Sequence, residues 1–145
     1  MHRLVPGRAL VLGGVSIPFE QGLEGHSDAD VLTHAVIDAL LGAAGLGNIG
    51  EHFPNSDERY RDVSSLELLR SAKQLLGMFA VVNIDSVVIA EAPRLQPHLE
   101  GMEQNLARVL ENDPEAVSVK ATSPEGVGGL GRREGIAAQA VALIE

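Results

Sequence analysis

Residues 25–50 read GHSDADVLTHAVIDALLGAAGLGNIG, and the fold turns on how this stretch is read. Val31, Leu32, Ala35, Val36, Ala39, Leu40 and Ala43 recur with the spacing of one buried helical face. His26, Asp30, His34 and Asp38 recur at every fourth position beside it. Residues four apart advance about 400° around a helix, so each sits about 40° from the last and the four trace a slowly turning polar edge. Two readings of that edge stay open: a solvated helix flank, or a metal site in which a carboxylate supports an imidazole. On one helix, His26 and His34 would stand about 12 Å apart along the axis. That is too far to share an ion whose ligand atoms lie about 2 Å from it. A cation on His34 therefore needs a partner from elsewhere. The remaining histidines are His2, His52 and His98. His52 falls in a polar loop and His98 starts a helix, which suits surface roles. His2, just ahead of the first strand, could be brought alongside.

The composition narrows the function classes. A chain of 145 residues suits one domain with an ordinary core. Hydrophobic residues at 45% and charged residues at 21% fit a soluble globular protein. Aromatics at 3%, with no Trp, argue against a single-stranded nucleic-acid binder, which needs stacking platforms. A net charge of −9 repels a phosphate backbone, so an anionic substrate must be met by local cations. The absence of cysteine excludes disulfides and thiolate zinc sites. No apolar run reaches membrane-spanning length, and MHRLVPGRAL lacks the apolar core of a signal peptide. A cytoplasmic enzyme or binding domain is the expectation, with neither nucleic acid nor membrane as partner.

Outward from the opening stretch, strands and helices alternate, an α+β or α/β pattern. Ser27 or Asp28 is placed to cap a helix running to about Ala44, and Gly45, Gly47 and Gly50 stop it. ALVLGGVSI (9–17) reads as a strand, PFEQGLEG (18–25) as a loop and EHFPNSDERYRD (51–62) as a polar loop. Ser64 and Glu67 form an S-x-x-E capping box ahead of Leu66, Leu69, Ala72, Leu75 and Leu76, which have helical spacing. AVVNIDSVVIA (80–90) is a half-buried strand, and Leu99, Met102, Leu106 and Val109 mark a third helix. AVSVKA (116–121) is another strand, and EGVGGLGRREG (125–135) a glycine-rich loop. IAAQAVALIE (136–145) is short enough for a buried strand and alanine-rich enough for a helix.

Two further segments can carry chemistry. In VKATSPEGVGGLGRREG (119–135), a strand leads to Lys120, Thr122, Ser123, Glu125, several glycines and Arg132. Hydroxyls and open backbone amides suit phosphate oxygens, and a carboxylate among them calls for a bridging divalent ion. Arg132 offers a fork for phosphate or carboxylate. The plain alternative is a surface loop whose arginines pair with acidic neighbours. In IAEAPRLQPH (89–98), prolines after a strand fix a turn whose exposed backbone could read a flat ring, or simply connect strand to helix.

Taken together, GHSDADVLTHAVIDALLGAAGLGNIGEHFP (25–54), IAEAPRLQPH, VKATSPEG (119–126) and GRREGIAAQAVALI (131–144) resemble the 2-C-methyl-D-erythritol 2,4-cyclodiphosphate synthase family of the non-mevalonate isoprenoid pathway. The resemblance covers nearly the whole chain. It implies an α+β subunit with a small mixed sheet carrying helices on one face, and a homotrimer whose sheets face one another. Active sites lie between neighbouring subunits. It implies a phosphorus-oxygen lyase: the 2-phosphate of a cytidine-diphospho-methylerythritol attacks the β-phosphorus, CMP leaves, and a cyclic diphosphate forms. By resemblance, His2 and His34 are zinc ligands, and Glu125 holds a second ion, magnesium or manganese. His26 and Ser123 match transition-state-stabilising positions, and Ser27 faces the substrate phosphate. Thr122, Ser123, Pro124 and Glu125 match the diphosphate segment, and Gly129 and Arg132 also fall at substrate-contacting positions. Asn48, Ile49 and Gly50 match contacts to the ribose or methylerythritol. Phe53, Pro54, Asn55, Ser56 and Asp57 match pocket positions. Ala90, Glu91, Ala92, Pro93, Arg94, Leu95 and Gln96 match the turn that cradles cytosine.

The chain departs from the family pattern at its start. The family opens with a strand ending in Asp-x-His, both residues being zinc ligands, whereas this sequence begins MHRLV. His2 takes the histidine's place with no aspartate before it. The expectation is a valine codon read as the start, at the cost of a short strand of about 5–6 residues. A true loss implies a weakened or inactive trimeric homologue. A zinc hydrolase of another phosphoester is the other reading. Asn48 and Asn55 stand where relatives commonly carry Asp, and Gly129 where many carry Phe.

Overall fold

The computed structural model describes all 145 residues. A five-stranded mixed sheet runs in the order β4-β1-β7-β5-β6, built from β1 (His2–Pro6), β4 (Gln21–Leu23), β5 (Val81–Ile89), β6 (Val117–Thr122) and β7 (Gly135–Ile144). β5 and β6 are parallel, whereas β5–β7, β7–β1 and β1–β4 are antiparallel. A separate hairpin joins β2 (Leu10–Leu12) to β3 (Val15–Ile17). The helices are α1 (Val31–Ala43), the single turn α2 (Ile49–His52), α3 (Ser65–Leu75), α4 (Leu99–Leu110) and the single turn α5 (Gly128–Gly131).

Period-two alternation decides the two faces of the sheet. Ile84, Ser86 and Val88 of β5 are buried, while Asp85 between them is exposed. On β7, Ala138, Ala140, Ala142 and Ile144 pack against the core, and Gln139, Val141 and Leu143 point the other way. The core lies between the first face and the helices. Leu32, Ile37, Leu40 and Leu41 of α1 are all at 0% exposure, each side chain stabilising the fold by about 1.5–3 kcal/mol. α1 lies against β7 and α3, which fixes His34 at the rim of that core.

Several sequence expectations are corrected here. The residue that caps α1 is Asp30, which accepts the Thr33 amide, not Ser27 or Asp28. His26 and Asp30 therefore precede the helix, and only His34 and Asp38 share it. Asp30 is fully buried, because its carboxylate also accepts the Gly13 and Gly14 amides of the β2–β3 turn. Ser64 occupies the cap of α3 but makes no side-chain bond there, and Glu67 pairs with Arg70 instead. Asp28, a stronger acceptor, takes the Ser65 amide at 3.0 Å and caps α3 from another segment. The 9–17 stretch is a hairpin, since Gly13 and Gly14 adopt φ of +54° and +70° and turn the chain. His2 lies within β1, and the alanine-rich tail is strand β7.

Candidate active site

The first strand and the first long helix bring two imidazoles together. His2 Nε2 and His34 Nδ1 face each other at 3.1 Å, with the rings edge-on at an interplanar angle of 74°. Two imidazoles on one tetrahedral ion place their ligating nitrogens about 3.3 Å apart. Burial draws the His34 ring down to about 4, with the neighbouring His2 contributing, and burial also lowers His2. Both rings are neutral at pH 7, the form that ligates metal. No third His, Cys, Asp or Glu joins them to make a group of three. The donor set thus fits a cation held by two protein nitrogens, with its other positions open to solvent or substrate.

A cleft of about 270 Å³ opens beside this pair, lined in part by His26, Ser27, Asp38, Ile49, Gly50, Phe53 and Asn55. His26 Nε2 is 3.1 Å from the Asp57 carbonyl, which anchors the ring to the 53–57 loop. Ser27 is buried, its carbonyl accepts a bond from Arg8 at 2.6 Å, and its Oγ stands 3.3 Å from His34 Nε2. Asp38 accepts the Ile49 amide at 2.8 Å and so holds α2 over the cleft. Asn48 accepts the Gly50 amide, so part of its hydrogen-bonding capacity already serves the helix turn. Asp57 pairs with Arg59, whose guanidinium holds the carboxyl below its usual range. Pro54, Ser56 and Asp57 lie outside the lining of this cleft.

A second cleft, about 380 Å³, is formed by Ala90 through Gln96 with Ala121, Thr122 and Ser123. Its lining shares no residue with the imidazole cleft. The Ala92–Pro93 peptide is cis. Glu91 ties the two segments, accepting Ser123 Oγ at 3.0 Å and the Gly126 amide at 3.2 Å. Ser123 Oγ also accepts the Glu125 amide at 2.9 Å. Thr122, Ser123 and Glu125 are exposed, and Glu125 has a left-handed backbone with φ of +53°. Pro124 is half-buried in the same turn. Arg132 is exposed and pairs with Glu134 at 2.7 Å. Gly129 lines a third hollow of about 330 Å³ with His2, Arg3 and Glu134, so the glycine-rich loop ends beside β1.

Sequence reasoning did not find Tyr60 and Leu68, which line the imidazole cleft, or the parts played by Asp28 and Ser65. Ser65 Oγ stands 2.8 Å from His34 Nε2. The pairing joins residues 31 apart in sequence, and no periodic pattern spans that gap.

The comparisons with known proteins agree along the whole chain. The model of the YgbB family matches residues 1–145. A 2-C-methyl-D-erythritol 2,4-cyclodiphosphate synthase of Syntrophomonas wolfei is 59% identical over 100% of this chain and 94% of its own length. That of Pelotomaculum thermopropionicum is 60% identical over 99% of this chain and 90% of its own. A solved 2C-methyl-D-erythritol-2,4-cyclodiphosphate synthase in a CDP-bound form superposes with a TM-score of 0.90 at 34% identity. That match covers 99% of this chain and 95% of the other.

Proposed function

The chain belongs to the YgbB family, and from that premise we propose that it is a 2-C-methyl-D-erythritol 2,4-cyclodiphosphate synthase of isoprenoid precursor biosynthesis. It converts 4-diphosphocytidyl-2-C-methyl-D-erythritol 2-phosphate to the 2,4-cyclodiphosphate and CMP. A 2-phosphate oxygen forms a bond to the β-phosphorus, and the bond from that phosphorus to the CMP oxygen breaks. It is a phosphorus-oxygen lyase, and a cytoplasmic one. The observation that carries the reading is the pair of neutral imidazoles meeting at the mouth of a cleft, in a chain similar to named synthases from end to end.

Nucleophile and electrophile are both anionic, so their repulsion must be cancelled before they meet. His2 and His34 would hold a zinc ion and Glu125 a magnesium or manganese ion, and these cations supply that neutralisation and Lewis acidity. The chain's own groups orient the reactants. His26 is anchored at the mouth of the first cleft by the Asp57 carbonyl and stabilises the phosphate there. Ser27 lies beside it. Ser123 offers a hydroxyl to the diphosphate, and Thr122 and the open amides of the following turn contribute further donors. The 90–96 turn offers backbone groups to cytosine, and the 48–50 and 53–57 segments contact the sugar and methylerythritol. Arg132, exposed beside Glu134, is free to exchange that partner for phosphate.

The two clefts belong to one substrate when copies of the chain assemble, and a homotrimer accounts for the unpacked sheet face. Val141 and Leu143 there are 72% and 57% exposed. They sit beside Asp85 and Asn83, a mixed face suited to a subunit interface. Incubation with the cytidylyl substrate and metal tests the activity. CMP with cyclic diphosphate is the expected result. CMP with a linear product overturns it in favour of a hydrolase, and no turnover overturns it in favour of an inactive homologue. A monomer on sizing at micromolar concentration removes the shared site.

A further inference from the structure

We propose that Ser65 and Asp28 are positioning residues that hold His34 in one tautomer, with Nε2 protonated and Nδ1 left as the free, metal-accepting nitrogen. The inference rests on His34 being a cation ligand. His34 presents Nδ1 to His2 and Nε2 to two hydroxyls, Ser65 Oγ at 2.8 Å and Ser27 Oγ at 3.3 Å. Neutral imidazole carries one N–H and one bare nitrogen, and the partners decide which is which. The nearer partner is Ser65, whose hydroxyl has a single proton to give. It also lies in a short contact with Asp28 Oδ1, and a carboxylate only accepts. The Ser65 proton therefore goes to Asp28. The Ser65 oxygen is left to accept, and the N–H it accepts is His34 Nε2–H.

The surrounding structure keeps this chain of bonds in place. Ser65 is fully buried at the first turn of α3. Asp28 Oδ2 takes the Ser65 amide at 3.0 Å, and Asp28 Oδ1 takes the Asp30 amide at 3.2 Å. The carboxylate is thus fixed by two backbone donors as well as by the hydroxyl. Ser27 Oγ is the more distant group and already accepts the Ala29 amide at 3.2 Å. It adds to the pocket but does not set the direction of the Ser65 proton. On the opposite edge of the ring, Nδ1 keeps its lone pair, turned towards the same point as His2 Nε2. With the other tautomer a proton would occupy that point and a cation could not.

Nitrogen-15 NMR of the full chain, labelled at histidine and stripped of metal with a chelator, reads the tautomer directly. Zinc titration of the same samples reads the consequence. In the wild type, His34 is expected to show a protonated Nε2 and a bare Nδ1. Ser65→Ala removes the acceptor but keeps the backbone amide that Asp28 caps. It should give a mixture of tautomers and weaken binding of Zn2+ alone by about 10–100-fold. Ser65→Thr keeps the hydroxyl and should restore both readings. Asp28→Asn keeps the hydroxyl but weakens its acceptor, and should fall between wild type and Ser65→Ala. Thermal unfolding confirms that each variant is folded, and a general loss of packing would not convert one tautomer into the other. A wild-type ring protonated at Nδ1 overturns the proposal. So does a Ser65→Ala protein with an unchanged nitrogen spectrum and a zinc affinity within about twofold of wild type. Because the tautomer is read without metal or substrate, its failure is distinct from a failure to turn over the cytidylyl substrate.

Discussion

Asp30 and Glu91 each gather backbone and hydroxyl donors, some or all of them from a glycine-bearing loop, and they do so in opposite surroundings. Asp30 is fully buried and receives four bonds, from the Gly13, Gly14 and Thr33 amides and from Thr33 Oγ1. Burial pushes its carboxyl up to about 6 against the pull of those donors. Glu91 is half-buried and receives two bonds, from Ser123 Oγ and the Gly126 amide, both on exposed residues. The first carboxylate ties the start of α1 to the β2–β3 turn through a fully buried group, and the flank of the imidazole cleft should be rigid as a result. The second holds its loop with bonds that water can replace, so the segment proposed to receive a diphosphate can rearrange around a ligand. One half of the proposed site is finished within a single chain, and the other is left adaptable.

Replacing a carboxylate oxygen by an amide group tests that contrast where it should be greatest. Asp30→Asn turns an N–H group towards a buried backbone N–H and leaves at least one donor without an acceptor. The expected cost is about 3–4 kcal/mol of unfolding free energy, read from denaturant midpoints at unchanged slope. A cost below about 1 kcal/mol would mean that the first loop is no more rigid than the second. Ser123→Ala comes next and acts on the adaptable half. The Ser123 hydroxyl donates to Glu91 here; if it turns to the diphosphate as proposed, its loss should lower turnover about 100-fold. Stability should stay within about 0.5 kcal/mol of wild type, because Ser123 is exposed. Full turnover in this variant would take Ser123 out of the catalytic set.

The two halves were also unequally legible in the sequence. Helices α1, α3 and α4 and strands β5 and β6 followed from apolar spacing, because each buries one continuous face. The caps did not follow. Ser64 with Glu67 has the local signature of a capping box, yet Asp28 serves that helix across a loop, and tertiary placement overrode local pattern. The tail stayed ambiguous because alanine satisfies a buried strand and a helix alike, and pairing with β5 over its length decided for strand. From the residues alone the meeting of His2 and His34 was readable only as a possibility, through the scarcity of histidines, since β1 and α1 are distant in sequence; the family resemblance is what named the two together. The exposed loop was legible in composition, but its hydrogen bonds to Glu91 depend on a strand-to-helix turn some 30 residues earlier, a spacing without periodic trace.

Gly131→Ala probes a close backbone contact within the adaptable loop. A Cβ there would lie 2.1 Å from the Gly126 carbonyl carbon, so backbone would have to move. The expected cost is about 1–2 kcal/mol, with weaker binding of cytidine nucleotides to the displaced loop. Retention of both stability and affinity would show that even this contact yields freely.

Glu91→Gln is the counterpart of Asp30→Asn and should have the smallest effect. The Ser123 hydroxyl and the Gly126 amide donate to the same carboxylate oxygen, so the amide oxygen of Gln can accept both. Unfolding free energy should therefore change by no more than about 0.5 kcal/mol. The substitution also removes a negative charge beside the segment proposed to receive a diphosphate. Nucleotide affinity should hold or rise slightly at low ionic strength, and the difference should fade as salt screens the site. Isothermal titration with CDP at two salt concentrations, alongside denaturant unfolding, reads both quantities. A stability loss comparable to that of Asp30→Asn would show that the loop is locked through Glu91 as firmly as α1 is through Asp30, and the distinction between a finished and an adaptable half would fail.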